Sequence, residues 1–262
     1  MKFARFGYQG KTYTGKVDGE TVRVIEGSLF ERYEETGTHY SLAEVTLLPP
    51  VVPSKVVCVG QNYLEHIEEL GVPVPEEPVV FLKPPSCLIG SGDAIVYPRS
   101  AQRVDYEGEL AVVIKDTMKN VPESSAMDYV LGYSCFNDVT ERALVSKDVV
   151  LLGLAKGFDT FGPFGPYLVT DLDPNNVEVQ TYLNDKVMQH DNTRNCVFSV
   201  QKVLSYVSER ITLYPGDVVI TGTPKGIAPM NPGDRVEVEI EGIGRLTNVV
   251  KAETVENEPQ RR

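Results

Sequence analysis

Cysteine and histidine are scarce in this sequence, and neither residue type is spaced to bind zinc. The four cysteines lie far apart with no CxxC pair, and the chain has three histidines. Structural zinc sites need four closely grouped cysteine and histidine ligands. The sequence therefore excludes a zinc ribbon or zinc finger, and we expect all four cysteines to be reduced thiols.

Long apolar runs and an excess of positive charge are also missing. No stretch approaches the ~18 to 20 apolar residues of a membrane span, and the first residues lack the apolar segment of a secretory signal. Acidic residues outnumber basic ones 37 to 25, for a net charge of -12, whereas nucleic-acid binding depends on lysines and arginines that neutralise phosphates. We therefore expect a cytoplasmic protein that binds neither membrane nor nucleic acid.

Short apolar runs separated by turn residues indicate a protein built mainly from β-strands. Residues 1–48 contain alternating stretches broken by glycines, which predict a small β-rich N-terminal module. Pro49, Pro50 and Pro53 then interrupt the chain, because proline cannot continue a helix or a central strand. The predicted units are residues 1–50, a large domain over 54–255 and a polar tail over 256–262.

Strands outnumber helices in the predicted large domain. Runs such as KVVCVG, PVVFLKP and ELAVVIK predict buried strands. Helices are predicted over 62–70, with Asn62 as its cap and Gly71 at its end, over 124–130 and over 199–210. The stretch SLFERYEETG, residues 28–37, predicts one more short helix. The predicted fold class is mainly β (α+β), since the β-α-β alternation of a Rossmann domain is missing.

Two glutamates stand two residues apart at the start of the apolar run in VDYEGELAVVI. Because side chains alternate along a strand, Glu107 and Glu109 point to the same face. Such a pair most often faces solvent, but Gly108 between them is typical of a bulge or of the close approach of a ligand. Asp138, after the run YVLGYSCFN, offers a third carboxylate. The face is therefore either wet or binds a hard cation such as Mg²⁺, Mn²⁺ or Ca²⁺.

Six segments, in order over about 200 residues, resemble motifs of the fumarylacetoacetate hydrolase family. They are VGQNYLEHIEELG, FLKPPSCLIGSGDAIVYP, VDYEGELAVVI, YVLGYSCFNDVTER, AKGFDTFGPFGPYLVT and GDVVITGTPKGIAPMNPGDRVEVEIEGIGRLTN. The resemblance is to its acylpyruvase and 2-hydroxyhepta-2,4-diene-1,7-dioate isomerase-like members. It implies a catalytic domain built as a mixed β-roll, and a homodimer.

The resemblance also implies a metal site and a substrate class. Glu107, Glu109 and Asp138 would hold Mg²⁺ or Mn²⁺, and the substrate would be a small 1,3-dicarbonyl or 2-oxo acid. Such an oxo acid chelates a divalent ion through two adjacent oxygens. The ion then stabilises the enolate that leaves when a C–C bond breaks.

His66 and Glu69 are placed by the resemblance as the catalytic pair. Three residues apart, they meet on one face of a short helix, where the carboxylate can fix the imidazole tautomer and raise its basicity toward an attacking water. Glu65 and Glu68 point away from His66. Without the motif, a histidine beside an acid on a glutamate-rich helix is more often a surface pair.

The resemblance assigns further residues to the reaction and to substrate binding. Lys156 is implied as a catalytic lysine that neutralises a substrate carboxylate or a developing oxyanion, although by itself it reads as a surface lysine. The TGTPKG segment is typical either of a loop that binds a carboxylate or of an ordinary glycine-proline turn. The implied substrate-binding residues are Gln61, Tyr63, Lys83, Arg142, Asp159, Thr160 and Thr223.

Two departures from the family pattern bear on the substrate. In NDVTERALV the family's alanine, acid and glutamine are replaced by Glu141, Ala143 and Val145, and only Arg142 is kept. Gln61 stands where arginine is frequent, which removes a cation that could bind a distal carboxylate. A neutral or smaller substrate tail is consistent with both changes.

Three functions follow from these residues. The first is metal-dependent hydrolysis of the C–C bond in acylpyruvate or fumarylacetoacetate-like β-diketo acids. The second is isomerisation or decarboxylation of 5-carboxymethyl-2-hydroxymuconate, 2-hydroxyhepta-2,4-diene-1,7-dioate or oxaloacetate type oxo acids. The third is metal binding without activity, which would leave turnover unaffected by the loss of His66.

Overall fold

The structure is a computed structural model, and it describes residues 1–254. Strands predominate in that range, as the sequence predicts. They are β1 (Lys2–Tyr8), β2 (Lys11–Asp18), β3 (Thr21–Gly27), β4 (Tyr33–Ser41), β5 (Thr46–Leu48), β6 (Val56–Gly60), β7 (Val79–Lys83), β8 (Leu88–Ile89), β9 (Ala94–Tyr97), β10 (Val104–Asp105), β11 (Gly108–Ile114), β12 (Val130–Asn137), β13 (Thr140–Glu141), β14 (Gly162–Val169), β15 (Glu178–Leu183), β16 (Lys186–Asn192), β17 (Val218–Ile220), β18 (Pro229–Met230), β19 (Arg235–Ile240) and β20 (Gly244–Ala252).

The helices are short. The α-helices of the described range are α1 (Leu64–Leu70), α2 (Arg142–Lys147), α3 (Leu152–Lys156) and α4 (Val200–Arg210), and single 3₁₀ turns occupy Leu42–Glu44, Pro85–Cys87, Glu123–Tyr129, Val149–Leu151 and Thr193–Asn195. None of these helices has both the length and the apolar character that a membrane crossing requires.

The strands form one large mixed sheet and two smaller sheets. The large sheet has the order β4-β3-β2-β1-β14-β12-β11-β17-β6-β7, with β5 added beside β1 and β8 beside β14. A five-stranded sheet runs β16-β15-β19-β20-β9, and a three-stranded sheet runs β13-β10-β18. Strands β11 and β12 lie in the middle of the large sheet, and all seven residues of β11 are buried.

The main core lies between the centre of the large sheet, the five-stranded sheet and α4. Leu110, Val112 and Val219 from the large sheet share one apolar cluster with Val179 and Val238 of the five-stranded sheet. Helix α4 joins it through the predicted apolar positions Val203, Leu204 and Val207, which are buried. These contacts fix the ends of β11 and β12 in a rigid setting, because close-packed interiors resist displacement.

The N-terminal strands continue the large sheet. β1 pairs antiparallel with β14, with Lys2 opposite Val169 and Phe3 opposite Leu168. Phe3 and Ile25 also share an apolar cluster with residues of the later strands. The division near residue 50 stays a prediction, and the proposed tail over 256–262 lies outside the described residues.

The helix predicted over residues 28–37 is wrong. Tyr33–Ser41 is β4, which pairs antiparallel with β3. Gly27 turns the chain with a φ of +101°, and a Cβ there would lie 2.3 Å from the Arg32 carbonyl oxygen. The tight turn and the hydrogen bonds to β3 outweigh the local helix propensity of the glutamates, as tertiary context often does.

The other predicted helices fall at the expected places, with differences at their ends. Helix α1 ends at Gly71, which has a φ of +66°, and residues 123–129 form 3₁₀ turns. Asn62 as the cap of α1 is wrong, because Tyr63 holds that position. The Asn62 side chain instead bonds to the backbone of Phe198 and Thr221. Helices α2 and α3, which were not predicted, are too short to show an apolar period.

A buried carboxylate joins two parallel strands of the large sheet. Asp217 is fully buried, and its Oδ1 accepts hydrogen bonds from Ser54 N and Oγ at 3.0 and 2.7 Å. Its Oδ2 accepts from Tyr214 N at 2.8 Å and forms an ion pair with Lys55. Burial alone raises the pKa of Asp217, but the hydrogen bonds from Lys55 and Ser54 outweigh it and lower the pKa.

We expect Asp217→Ala to lower the free energy of unfolding by about 3 kcal/mol near neutral pH, because it leaves buried donors without an acceptor. A carboxylate with a depressed pKa contributes stability above its unfolded pKa of about 3.9, and this is lost as the pH falls through the folded value. The difference between the variant and the wild type should therefore shrink below about pH 3.9.

Chemical denaturation at neutral and acidic pH measures both effects. Asp171→Ala is the control, since Asp171 is 83% exposed and pairs with the N-terminal amine at 2.7 Å; little change is expected there. An Asp217→Ala protein as stable as the wild type near neutral pH would contradict the assignment.

Candidate active site

Three carboxylates meet where β11 begins and β12 ends. The two strands are antiparallel, with Gly108 opposite Asn137 and Glu109 opposite Phe136. Glu107 immediately precedes β11, Glu109 lies within it, and Asp138 immediately follows β12. This register puts one oxygen from each carboxylate within 4.8 Å of the others. All three residues are buried, so the two glutamates do not lie on a solvent-exposed face.

Three buried or half-buried cations face these acids. The Lys156 ammonium lies 2.7 Å from Glu107 Oε2 and also contacts Asp138 Oδ2. Lys83 lies 2.8 Å from Asp138 Oδ1, and the Arg142 guanidinium contacts Glu107 Oε1. Each cation is therefore held by an acid of the triad, which fixes the carboxylates as well as the cations.

The cations are not shared equally among the acids. Burial alone raises the pKa of Glu107, but Lys156 and Arg142 outweigh it and lower the pKa to about 2. Glu109 forms no ion pair within residues 1–254, and it accepts a hydrogen bond from Gly222 N at 2.7 Å. Burial and the nearby Asp138 hold the pKa of Glu109 well above its ordinary value. One buried acid thus lacks a balancing charge in contact with it.

The triad fits a hard divalent cation. Ligand oxygens lie roughly 2.0–2.6 Å from Mg²⁺ or Ca²⁺, so two ligands of one ion can be about 5 Å apart at most. The three carboxylates meet that limit. A divalent ion would also balance the charge of Glu109, and oxygen-only ligands favour Mg²⁺, Mn²⁺ or Ca²⁺ over zinc.

The predicted histidine pair lies on α1, beside the triad. His66 Nδ1 is 2.8 Å from Glu69 Oε2, and His66 faces the same cavity as the three carboxylates. The Glu69 carboxylate also accepts from Gly226 N at 3.1 Å, while Tyr106 donates to the Gly226 carbonyl oxygen at 2.8 Å. The loop around Gly226 therefore fixes the acid that orients the imidazole.

One glutamine beneath the site was missed from the sequence. Gln189 Oε1 accepts a hydrogen bond from Gly108 N at 3.0 Å, and its Nε2 donates to Thr223 Oγ1 at 2.8 Å. Thr223 in turn donates to the Gly108 carbonyl oxygen at 3.0 Å. Gln189 comes from β16 of the five-stranded sheet, so no local signal links it to Gly108.

Asp105 was also missed. It is fully buried and accepts hydrogen bonds from Arg142 Nε at 3.0 Å and from Arg103 Nε at 2.8 Å. It therefore holds the Arg142 guanidinium against Glu107. The sequence did contain a signal for Asp105, which lies two residues before Glu107. The alternation of side chains that puts Glu107 and Glu109 on one face of a strand also puts Asp105 on that face.

A cavity of about 430 Å³ opens above these groups. Gln61, Arg142, Lys156 and Thr223, among the predicted substrate-binding and catalytic residues, line it together with His66 and the triad. Lys83 is fully buried beneath the triad. The rest of the cavity wall is mostly apolar. It consists of Val59, Leu70, Val72, Val79, Phe81, Val145, Val149 and Leu152, with Gly60 and Ser146.

Besides Lys83, three predicted substrate-binding residues lie outside that wall. Tyr63 is fully buried, and Asp159 is exposed. Thr160 has a φ of +68° and accepts a hydrogen bond from Val96 N at 2.8 Å. In this structure, therefore, Tyr63, Asp159 and Thr160 do not contact the space above the triad.

Comparison with known proteins identifies the family of this chain. A family model described as fumarylacetoacetate (FAA) hydrolase C-terminal matches residues 55–251. The chain belongs to the fumarylacetoacetate hydrolase family. A second model, described as Rv2993c-like, N-terminal, matches residues 1–50.

Relatives of known name carry several activities. The human oxaloacetate tautomerase FAHD2B, mitochondrial, is 42% identical over 220 residues, which cover 79% of this chain and 70% of that protein. The solved structure of 5-carboxymethyl-2-hydroxymuconate delta-isomerase from Mycobacterium smegmatis has a TM-score of 0.90 at 40% identity, over 97% of this chain and 100% of that one. Maleylpyruvate hydrolase from Sphingobium sp. SYK-6, with manganese (II) and pyruvate, has a TM-score of 0.81 at 27% identity, over 97% and 100%.

These findings confirm the predicted family, the mainly β fold class and the prediction of an enzyme of the fumarylacetoacetate hydrolase family. The family members with which the chain compares include a hydrolase, an isomerase and a tautomerase.

Gly108 is a position where a side chain would disturb the site. A Cβ there would lie 2.1 Å from Thr181 Oγ1 and 3.3 Å from Val238 Cγ1. The close approach is thus of the five-stranded sheet, and not of a ligand as the sequence suggested. We expect Gly108→Ala to lower the free energy of unfolding by about 2 kcal/mol, because overpacking a filled core forces its neighbours apart.

Thermal unfolding measures this effect. Gly153→Ala is the matched control, since Gly153 lies in α3 with no atom within 4 Å of its ideal Cβ, and no loss is expected. The double variant Gly108→Ala/Thr181→Ala should regain part of the stability because the nearest atom is gone. Equal stability of Gly108→Ala and the wild type would contradict the packing described here.

Proposed function

We propose that this protein is a divalent-metal-dependent hydrolase that cleaves the C–C bond of acylpyruvate or fumarylacetoacetate-like β-diketo acids. The observation that carries the proposal is that the carboxylates of Glu107, Glu109 and Asp138 face one cavity together with His66, which contacts Glu69. The first group can hold a cation that binds an oxo acid, and the second can activate water. A small oxo acid substrate, a homodimer and a cytoplasmic location remain predictions.

The metal site would be formed by Glu107, Glu109 and Asp138. A bound Mg²⁺ or Mn²⁺ supplies Lewis-acid stabilisation of the negative charge that develops on the oxygens of the 2-oxo acid. Lys156 and Lys83 hold the Asp138 carboxylate in place through their ion pairs, and Arg142 holds that of Glu107.

His66 would act as general base. In this role the Glu69 carboxylate accepts a hydrogen bond from Nδ1–H, with which it is in contact at 2.8 Å, and Nε2 is the nitrogen that takes the proton from water. Water attacks the acyl carbonyl carbon and gives a proton to Nε2. The C–C bond then breaks, its electron pair forms the pyruvate enolate, and the acyl group leaves as a carboxylic acid. His66 returns the proton to the enolate carbon, which gives pyruvate and restores the base.

A second candidate is isomerisation or tautomerisation of an oxo acid. The same His66 can move a proton between carbon and oxygen without water attack. Two relatives at 40–42% identity are named as an isomerase and a tautomerase. Val145 also replaces the glutamine of the hydrolase motif.

The products separate the two candidates. Incubation with Mg²⁺ and acetylpyruvate should release pyruvate and acetate in equal amounts if the enzyme is a hydrolase. Freshly dissolved oxaloacetate tested in parallel should reach its keto-enol equilibrium faster, without loss of CO₂ or C–C cleavage, if the enzyme is a tautomerase. Failure to cleave any β-diketo acid, with tautomerisation intact, would replace the first candidate with the second.

Removal of His66 should abolish either reaction. We expect His66→Ala to lower kcat by about 10² or more with Mg²⁺ present, because a general base typically contributes that much. His190→Ala is the matched control, since His190 pairs with Glu178 at 3.0 Å but on the exposed side of β16. Steady-state rates on the active substrate test this, and an unchanged rate in His66→Ala would contradict the role of His66 as general base. If the wild type turns over none of the tested acids, the third function, metal binding without activity, is favoured.

Divalent-ion affinity should depend on the triad. We expect Glu109→Gln to weaken Mg²⁺ and Mn²⁺ binding by at least about ten-fold, because a neutral amide is a poorer ligand for a hard cation than a carboxylate. Calorimetric titration of the folded protein measures the dissociation constant without a substrate. Glu237→Gln serves as the control, since Glu237 is also buried but contacts Arg235 and Arg245. Equal affinity in Glu109→Gln and the wild type would argue against the proposed metal site.

A further inference from the structure

The cavity above the triad has a charged floor and an apolar outer wall. Its floor is formed by Glu107, Glu109 and Asp138, which are at most 5% exposed. Leu70, Val72 and Val79 on one side are 36–38% exposed, and Val149 on the other side is 69% exposed. The exposure increases from the floor outward, so a ligand bound to the triad by one end would place its other end among these aliphatic side chains.

The outer wall offers no free positive charge. In the part of the chain that the structure describes, the lysine and arginine lining the cavity are Lys156 and Arg142. Lys156 is held by Glu107 and Asp138, and Arg142 by Asp105 and Glu107. Both are therefore committed to acids at the floor. Apart from His66 and the triad, the other polar residues of the lining are Gln61, Ser146 and Thr223, which are uncharged.

Such a wall distinguishes between two kinds of substrate tail. Each methylene group moved from water onto an aliphatic surface gains free energy in proportion to the area buried. A carboxylate moved to the same place loses water and finds no cation to replace it, which is costly. A neutral tail is therefore favoured over an acidic tail of the same length.

We infer, on the basis of the proposed function, that the substrate is a 2-oxo acid with a neutral aliphatic tail and not a dicarboxylate with a second, distal acid. Val145 and Val149 are the specificity-determining residues on one side of the cavity, and Leu70 and Val79 are those on the other. The oxo acid end is bound at the floor, and the tail lies between these two sides.

A pair of matched ligands tests the inference without any need for turnover. 2-Oxohexanoate and 2-oxoadipate have the same six-carbon chain and the same oxo acid end, and differ in having a methyl or a carboxylate at the far end. Calorimetric titration of the full-length wild-type protein in saturating Mg²⁺ should give at least about ten-fold tighter binding of 2-oxohexanoate. Equal or tighter binding of 2-oxoadipate, or no binding of either acid, would overturn the inference.

A charge placed in the wall should reverse the preference. Val145→Lys adds a cation to the cavity, and we expect it to bind 2-oxoadipate more tightly than the wild type does. Val150→Lys adds the same charge at a neighbouring residue that is 83% exposed and outside the cavity lining, so its preference should stay that of the wild type. A preference that shifts equally in both variants would show a general field effect and contradict the assignment.

The binding experiment can fail or succeed independently of the proposed hydrolase activity. If β-diketo acids are not cleaved but 2-oxohexanoate still binds more tightly than 2-oxoadipate, the hydrolase proposal fails and the tail preference stands. If cleavage occurs but 2-oxoadipate binds equally well, the hydrolase proposal stands and the tail preference fails.

Discussion

The buried charge at the junction of β11 and β12 is the constraint on which the site depends. Glu107, Glu109 and Asp138 lie in the protein interior, where an ionised carboxylate is costly unless a cation or hydrogen bonds compensate it. Lys83, Lys156 and Arg142 supply most of that compensation. Glu109 receives one amide hydrogen bond instead. Within the described residues Glu109 has no cation in contact with it, and this gives the protein a physical reason to bind a divalent cation at this point.

The fold supplies the precision that such a cluster needs. The antiparallel register of β11 and β12 brings Asp138 beside the two glutamates, although they lie about thirty residues apart in sequence. The five-stranded sheet approaches Gly108 so closely that no side chain fits there. Gln189 from that sheet uses its amide to hold both Gly108 and Thr223. The acids are therefore positioned from two sheets, with little freedom to move apart.

Local patterns in the sequence predicted those parts of the site that depend on local geometry. Alternation along a strand put Glu107 and Glu109 on one face, and helical spacing put Glu69 beside His66. The position of Asp138 after an apolar run suggested a third carboxylate. The resemblance to known motifs then joined it to the two glutamates and assigned Lys156 to the same site, which no spacing rule could do. Gln189 and Asp105 were missed because their roles come from pairings between distant segments. The helix predicted over 28–37 failed for the same reason, since pairing with β3 determined its conformation.

The loop from Gly222 to Gly226 connects the two halves of the chemistry. Its first amide donates to Glu109 and its last to Glu69, while Thr223 between them is fastened to Gly108. A shift of this one short segment would alter the cation ligand and the partner of the imidazole together. Cation binding through Glu109 and orientation of the imidazole through Glu69 are thus mechanically linked. A sequence change in this loop would alter both of them at once.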